Sequence, residues 1–197
     1  MKFVGKKSPS GFTLVELLVV LVILAVLAGM VIPLLGESAE QGRLAVTQAN
    51  LQRMREVIVG APQAPGYLAD TGKLPRTIKD LFIVPADNLA YLPQNLQTWN
   101  PVAKRGWRGP YLLDPGTRFD FDLDMIPDPA IFDGWGNPIL LQIPTASMTA
   151  AENERHLRLV SAGPNGILDT PQAPLMPTVA SRVDDLVLFL QVSDVQP

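Results

Sequence analysis

From Leu17 to Leu35 the chain reads LLVVLVILAVLAGMVIPLL, nineteen residues without a charged or strongly polar side chain. At about 1.5 Å per helical residue this run approaches the roughly 30 Å thickness of a bilayer's hydrocarbon. The pattern therefore predicts a membrane-spanning helix. Past it the apolar positions become periodic: Leu44, Thr47, Leu51, Met54 and Ile58 recur at alternating spacings of three and four, with Gln, Arg and Glu between them. That is one apolar stripe on a helix. A single helix is expected from Thr13 to about Val59, stopped by Gly60 and Ala61-Pro62, since Gly suits the position after a helix and Pro cannot continue its ladder. Gly29 and Pro33 fall inside it, and a kink or local melting is expected near residues 29 to 36 because Pro lacks the backbone donor and crowds the carbonyl four residues back.

The composition shifts at residue 60, after which seventeen of the nineteen prolines lie. Helical periodicity is not sustained there, so a loop-rich head is expected. Thr77 to Val84 reads as a short helix with Thr77 as N-cap and Asp80 three positions on. Ile139 to Ile143, His156 to Ser161 and Asp185 to Val192 read as strands, and His-Leu-Arg-Leu-Val alternates. The predicted class is α+β: a long N-terminal helix, transmembrane then amphipathic, packed against a small antiparallel sheet of three or four strands in a loop-rich head.

The chain has 197 residues, enough for one ordinary domain and an appendage. Sixteen Lys and Arg against nineteen Asp and Glu give a net charge of −3, so no overall basic field holds nucleic acid. There are no cysteines, which excludes disulfides, iron–sulfur clusters, Cys-ligated zinc and thiol nucleophiles. The single histidine, His156, excludes a polyhistidine metal centre and any mechanism built on a His pair. Neither a Gly-x-Ser-x-Gly elbow nor a phosphate-binding loop is present.

Lys2, Lys6 and Lys7 precede the apolar run, an order shared with secretory signal peptides. The run is longer than the roughly 7 to 15 residues of such a signal, and Glu37-Ser38-Ala39-Glu40 is a poor cleavage site after it. The basic N-terminus is expected to stay cytoplasmic with the remaining chain across the membrane. Glu16 stands out, since a carboxylate beside lipid costs a few kcal/mol unless it snorkels or finds a partner. A basic leader ends at Gly11, Phe12 opens the hydrophobic stretch, Glu16 follows, and Pro33 lies within the run.

This combination resembles the class III signal of type IV pilins and of type II secretion pseudopilins. The resemblance implies that a prepilin peptidase cuts between Gly11 and Phe12 and methylates the new Phe12 amine, which Glu16 of a neighbouring subunit then pairs with. Residues 1–11 would be the leader, 12–35 the transmembrane and filament-core helix, 36–60 its amphipathic continuation and 61–197 the head. Losing the three leader lysines takes the net charge from −3 to −6. The implied role is structural and not enzymatic. It is that of a subunit in a homo- or hetero-polymer of pilin-like chains, a secretion pseudopilus or a type IV pilus-like filament, raised from the bacterial inner membrane by an assembly platform, with the head extracytoplasmic. The alternative is an uncleaved single-pass anchor carrying an extracytoplasmic binding or enzymatic domain.

Three head segments resemble the same family: Tyr67 to Pro75 after the helix, Trp107 to Leu112, and the turn Asp133-Gly134-Trp135-Gly136-Asn137-Pro138. In the turn, Gly134 and Gly136 are expected to supply special dihedrals and Trp135 an apolar anchor; Trp99, Trp107 and Trp135 serve either core packing or sugar stacking. Lys104 to Arg108 is the one basic patch with an aromatic, and on it alone would a DNA-uptake role rest. Asp120, Asp122 and Asp124 resemble the start of an EF-hand loop, but Met125 stands where Gly is required and Ile131 where the bidentate Glu belongs. Ser161 to Gly166 with Asp169, Asp184 and Asp185 resembles the calcium-binding C-terminal loop of major pseudopilins. Asn165 departs from the usual Asp, and Thr170 to Val183 forms an insertion with three prolines. Calcium at Asp169, Asp184 and Asp185 is one reading and a mobile acidic loop is the other.

Overall fold

The computed structural model describes residues 11–84, 92–121, 125–145, 149 and 155–190, the side chains of 28–37 excepted. The chain divides into two units, Met1–Gly42 and Arg43–Pro197. Helix α1 spans Leu14–Val59. In the first unit its side chains from Leu14 to Leu27 are all exposed. A helix that is apolar all round requires burial by something outside itself. Among the described residues no helix is long and apolar enough to cross a membrane. The α1 backbone is helical through residues 29 to 36, where a kink or local melting is expected, and the side chains of the rest of the predicted span lie outside the described residues.

In the second unit the stripe is buried at Thr47, Leu51, Met54 and Ile58, whereas Leu44 is 38% exposed. The reason is what covers the stripe. Thr47 meets a turn whose Gly134 amide donates to its hydroxyl at 2.9 Å, so the apolar core begins only at Leu51. There Leu51, Met54 and Ile58 join Ile139, Leu157, Leu159 and Leu190 in one cluster, each side chain contributing about 1.5 to 3 kcal/mol of transfer free energy. The helix ends as expected: Gly60 has φ +104°, and its amide donates to the Glu56 carbonyl at 2.8 Å.

Among the described residues five strands follow: β1 (Arg118–Phe119), β2 (Asp128–Pro129), β3 (Leu140–Gln142), β4 (Arg158–Ser161) and β5 (Leu186–Phe189). The last three form one antiparallel sheet in the order β3-β4-β5, with Leu141 opposite Leu159 and Leu159 opposite Leu188. Each lies within its predicted segment. Strands β1 and β2 pair as a separate antiparallel ladder that the sequence pattern does not signal, because each is only two residues long.

The connection between helix and sheet is built from short pieces. Tyr67 opens a short helix, α2 (Tyr67–Thr71), where the sequence suggests only a loop. The helix expected from Thr77 is a 3₁₀ turn, Ile78–Leu81. Asp80 accepts from the Arg76 and Thr77 amides at 2.8 and 3.2 Å, while burial raises its pKa above the ordinary carboxylate value. The carbonyls of Asp80 and Leu81 receive the Trp107 indole N–H and the Tyr111 amide at 3.1 and 2.8 Å. The Tyr111 hydroxyl donates to Asp70 at 3.0 Å, and burial drives its pKa well above the usual phenol value.

Candidate functional site

At the N-terminus, Gly11 and Phe12 are both exposed. The Thr13 amide and hydroxyl donate to Glu16 Oε2 at 2.9 and 3.0 Å, and the Glu16 amide donates back to Thr13 Oγ1 at 3.3 Å. This is a capping box, the Thr-x-x-Glu signature of a helix start. Sequence reasoning weighed Glu16 against lipid and overlooked the threonine three residues before it. The carboxylate is thus fixed one residue from the Gly11-Phe12 junction.

In the head, the turn from Asp133 is organised by one buried carboxylate. Asp133 Oδ1 accepts from the Trp135 and Asn137 amides at 2.9 and 2.8 Å, and Oδ2 accepts from the Ser161 hydroxyl at 2.7 Å. Gly136 has φ +90° and supplies the expected turn dihedral. Gly134 serves another purpose. A Cβ there would lie 2.2 Å from the Arg43 carbonyl oxygen, so glycine is required for close approach to the backbone of α1 and not for φ. Trp135 is half-buried and stands outside the core cluster, where the sequence reading makes it an anchor.

Asn137 Nδ2 donates to the Gly163 carbonyl at 2.9 Å, tying this turn to the acidic loop. There one carboxylate oxygen from each of Asp169, Asp184 and Asp185 lies within 4.8 Å of the others. Asp184 Oδ2 accepts from the Asn165 amide at 2.9 Å, Asp169 Oδ2 from Asn165 Nδ2 at 2.9 Å, and Asp185 Oδ2 from the Thr170 amide at 2.6 Å. Oδ1 of Asp184 and Oδ1 of Asp185 are buried without a donor. A buried carboxylate oxygen without a donor is costly and neighbouring carboxylates repel, so a cation relieves both. The donor set is all oxygen, as calcium requires. Of the other acidic run, Asp120 Oδ2 accepts from the Met125 amide at 3.0 Å, while Asp122 and Asp124 lie outside the described residues.

The insertion from Thr170 to Val183 is held by an arginine. Arg158 on β4 is fully buried. Its Nη1 donates to the carbonyls of Pro174 and Leu175 at 3.0 Å each, Nη2 to Pro171 and Gln172 at 2.8 and 3.5 Å, and Nε to the Gln142 side-chain oxygen. Burial, and then the charge of Arg182, lower its pKa from the usual guanidinium value. The alternation through His-Leu-Arg-Leu-Val suggests a solvent-facing Arg158; the insertion covers that face instead, and all four residues of β4 are buried.

The aromatic residues are largely engaged elsewhere. Trp107 packs against the core, and Arg108 lies over the Trp99 ring at 5.0 Å while pairing with Asp70 at 3.2 Å. The basic patch therefore spends Arg108 and Trp107 within the head.

Residues 6–32 match the prokaryotic N-terminal methylation motif. Type II secretion system core protein G of Pseudomonas aeruginosa is 32% identical over 130 residues, covering 60% of this chain and 82% of that protein. No solved structure matches the chain. With the methylation motif at its start and that likeness running through most of the relative's length, the chain belongs to the family of type II secretion system core protein G, the pseudopilins.

Proposed function

We propose that this chain is a structural subunit of a type II secretion pseudopilus, acting by assembly and not by catalysis. A prepilin peptidase cuts it between Gly11 and Phe12, the apolar helix anchors it in the inner membrane with the leader cytoplasmic and the head extracytoplasmic, and an assembly platform adds it to a polymer of pilin-like subunits. The observation that carries this reading is Glu16, a carboxylate held beside the Gly11-Phe12 junction at the head of a wholly apolar, exposed helical stretch. After cleavage the Phe12 amine is the natural charge for Glu16 of a neighbour to meet.

Mass spectrometry of the chain from its native membrane is expected to give a mature form beginning at methylated Phe12. An intact Met1 with the peptidase present would sink the proposal. Filament yield separates two roles for Glu16, because Glu16→Gln keeps the capping box but loses the charge. Assembly is expected to fail in both Glu16→Gln and Glu16→Ala, with cleavage unchanged in each. Normal assembly in the Gln variant would leave capping as the residue's whole contribution.

The acidic loop fits calcium, held by Asp169, Asp184 and Asp185 with loop carbonyls and water completing the roughly six to eight oxygens required. Bound calcium supplies charge neutralisation that fastens the loop ahead of β5. At a hundredfold excess over the dissociation constant, ligand linkage stabilises the folded state by about 2.7 kcal/mol. Chelation of the full chain in detergent micelles is thus expected to lower the melting temperature of the head by roughly 5 to 10 °C, with Asp185→Asn insensitive to chelator. Coincident melting curves for the wild type with calcium and with chelator would remove the cation.

A further inference from the structure

Resting on the calcium reading above, we propose that Arg158 is a positioning residue for that site: a buried guanidinium bonded to none of the three carboxylates fixes their spacing by gripping the insertion that joins them.

The insertion begins directly after Asp169 and ends directly before Asp184. Prolines at 171, 174 and 177 deprive it of amide donors, so it cannot fasten itself by a regular ladder, yet its carbonyls still need donors. Arginine is the side chain suited to that deficit, with five N–H groups in a planar fork and no acceptor of its own. All of its partners here are amide oxygens, four of them backbone carbonyls between Pro171 and Leu175. A cation buried in this way is costly unless every donor is used, and its retention calls for a task.

The bonds lead from Arg158 to the carboxylates in two steps. Gln142 accepts from Arg158 and donates through Nε2 to the Thr170 carbonyl at 3.1 Å, while Arg158 itself holds the next carbonyl, Pro171. Thr170, held in this way by its carbonyl, donates its own amide to Asp185 Oδ2 at 2.6 Å. Asp169 is the residue immediately before it. On the far limb Arg182 donates to the Pro177 carbonyl at 2.8 Å, and its own carbonyl accepts the Asp185 amide at 2.8 Å. The Asp169–Thr170 side of the cluster is therefore set from the sheet through Arg158 and Gln142, and the Asp184–Asp185 side by bonds within the insertion, with Arg182 lying over the Phe189 ring of β5 at 5.1 Å; order already present before any cation arrives lowers the cost of binding.

The test is calorimetric titration of calcium chloride into the chelator-stripped full chain in detergent micelles, far below the melting temperature, with amide exchange at Thr170 and Asp185 followed in the same samples. Arg158→Lys keeps the charge but offers a single point that cannot span the carbonyls. It is expected to weaken calcium at least tenfold and to speed exchange at both amides. A merely structural role would lower the melting temperature and leave the affinity of the folded fraction unchanged, and that result would overturn the proposal. Should the lysine variant not fold, Gln142→Met removes both halves of the bridge from Arg158 Nε to the Thr170 carbonyl and keeps the four carbonyl bonds of Arg158. A several-fold loss of affinity is expected, and wild-type affinity there would equally overturn it. Absence of calcium binding in the wild type would overturn the calcium reading itself and this proposal with it. Binding in the wild type with an unaltered lysine variant would overturn only this one.

Discussion

Gly134→Ala is expected to destabilise the head by about 3 kcal/mol, the upper part of the range for overpacking a well-filled interior. The added methyl would lie 2.2 Å from the carbonyl oxygen of Arg43 and 2.6 Å from its Cα. Both are helix backbone and cannot swing aside as a side chain does. Relief requires the turn to lift from α1, which breaks the Gly134 amide bond to Thr47 and strains the 3.0 Å bond from Asn50 Nδ2 to the Phe132 carbonyl. A melting temperature lower by roughly 6 to 12 °C is the expected reading. Gly42→Ala on the same helix serves as control, since open space surrounds that position and alanine improves helix propensity by about 1 kcal/mol. Unchanged melting of Gly134→Ala would show that the turn does not rest on the helix.

Asp133→Ala is expected to cost about 4 kcal/mol, because several charge-assisted hydrogen bonds converge on that buried carboxylate at about 1.5 to 3 kcal/mol each. Two backbone amides and the Ser161 hydroxyl lose their acceptor together. Asp133→Asn retains one acceptor oxygen for the amides and should lose less than half as much. Guanidinium denaturation followed by tryptophan fluorescence ranks the three. An alanine variant as stable as the asparagine one would mean that water replaces the carboxylate without penalty.

What the sequence discloses in advance is what is local or periodic. The Gly11-Phe12 junction, the three-and-four spacing through Ile58, and the runs that become β3, β4 and β5 are each complete within a short window. The Asp169, Asp184 and Asp185 cluster was also accessible, but through resemblance to a known loop and not through spacing. Contacts between distant segments are not accessible in this way. Gly134 looks like any turn glycine until the Arg43 backbone is brought against it from ninety-one positions earlier in the chain. Arg158 looks like the polar member of an alternating strand because that inference assumes one solvated face, and here the insertion occupies it. The β1–β2 ladder falls below any periodic signal, since two residues cannot define a period.

The grip of Arg158 on backbone oxygens carries a consequence for how this segment can change over time. A carbonyl is the same group in every amino acid, so the fastening makes no demand on the side chains of the segment it fastens. Met176, Val179 and Val183 stand 56%, 80% and 69% exposed on that segment. Substitution at these three places leaves every bond from Arg158 in place. The course of the gripped stretch from Pro171 to Leu175 is thus set by backbone chemistry alone, and changes at Met176 and Val179 can accumulate beside it without loosening the hold.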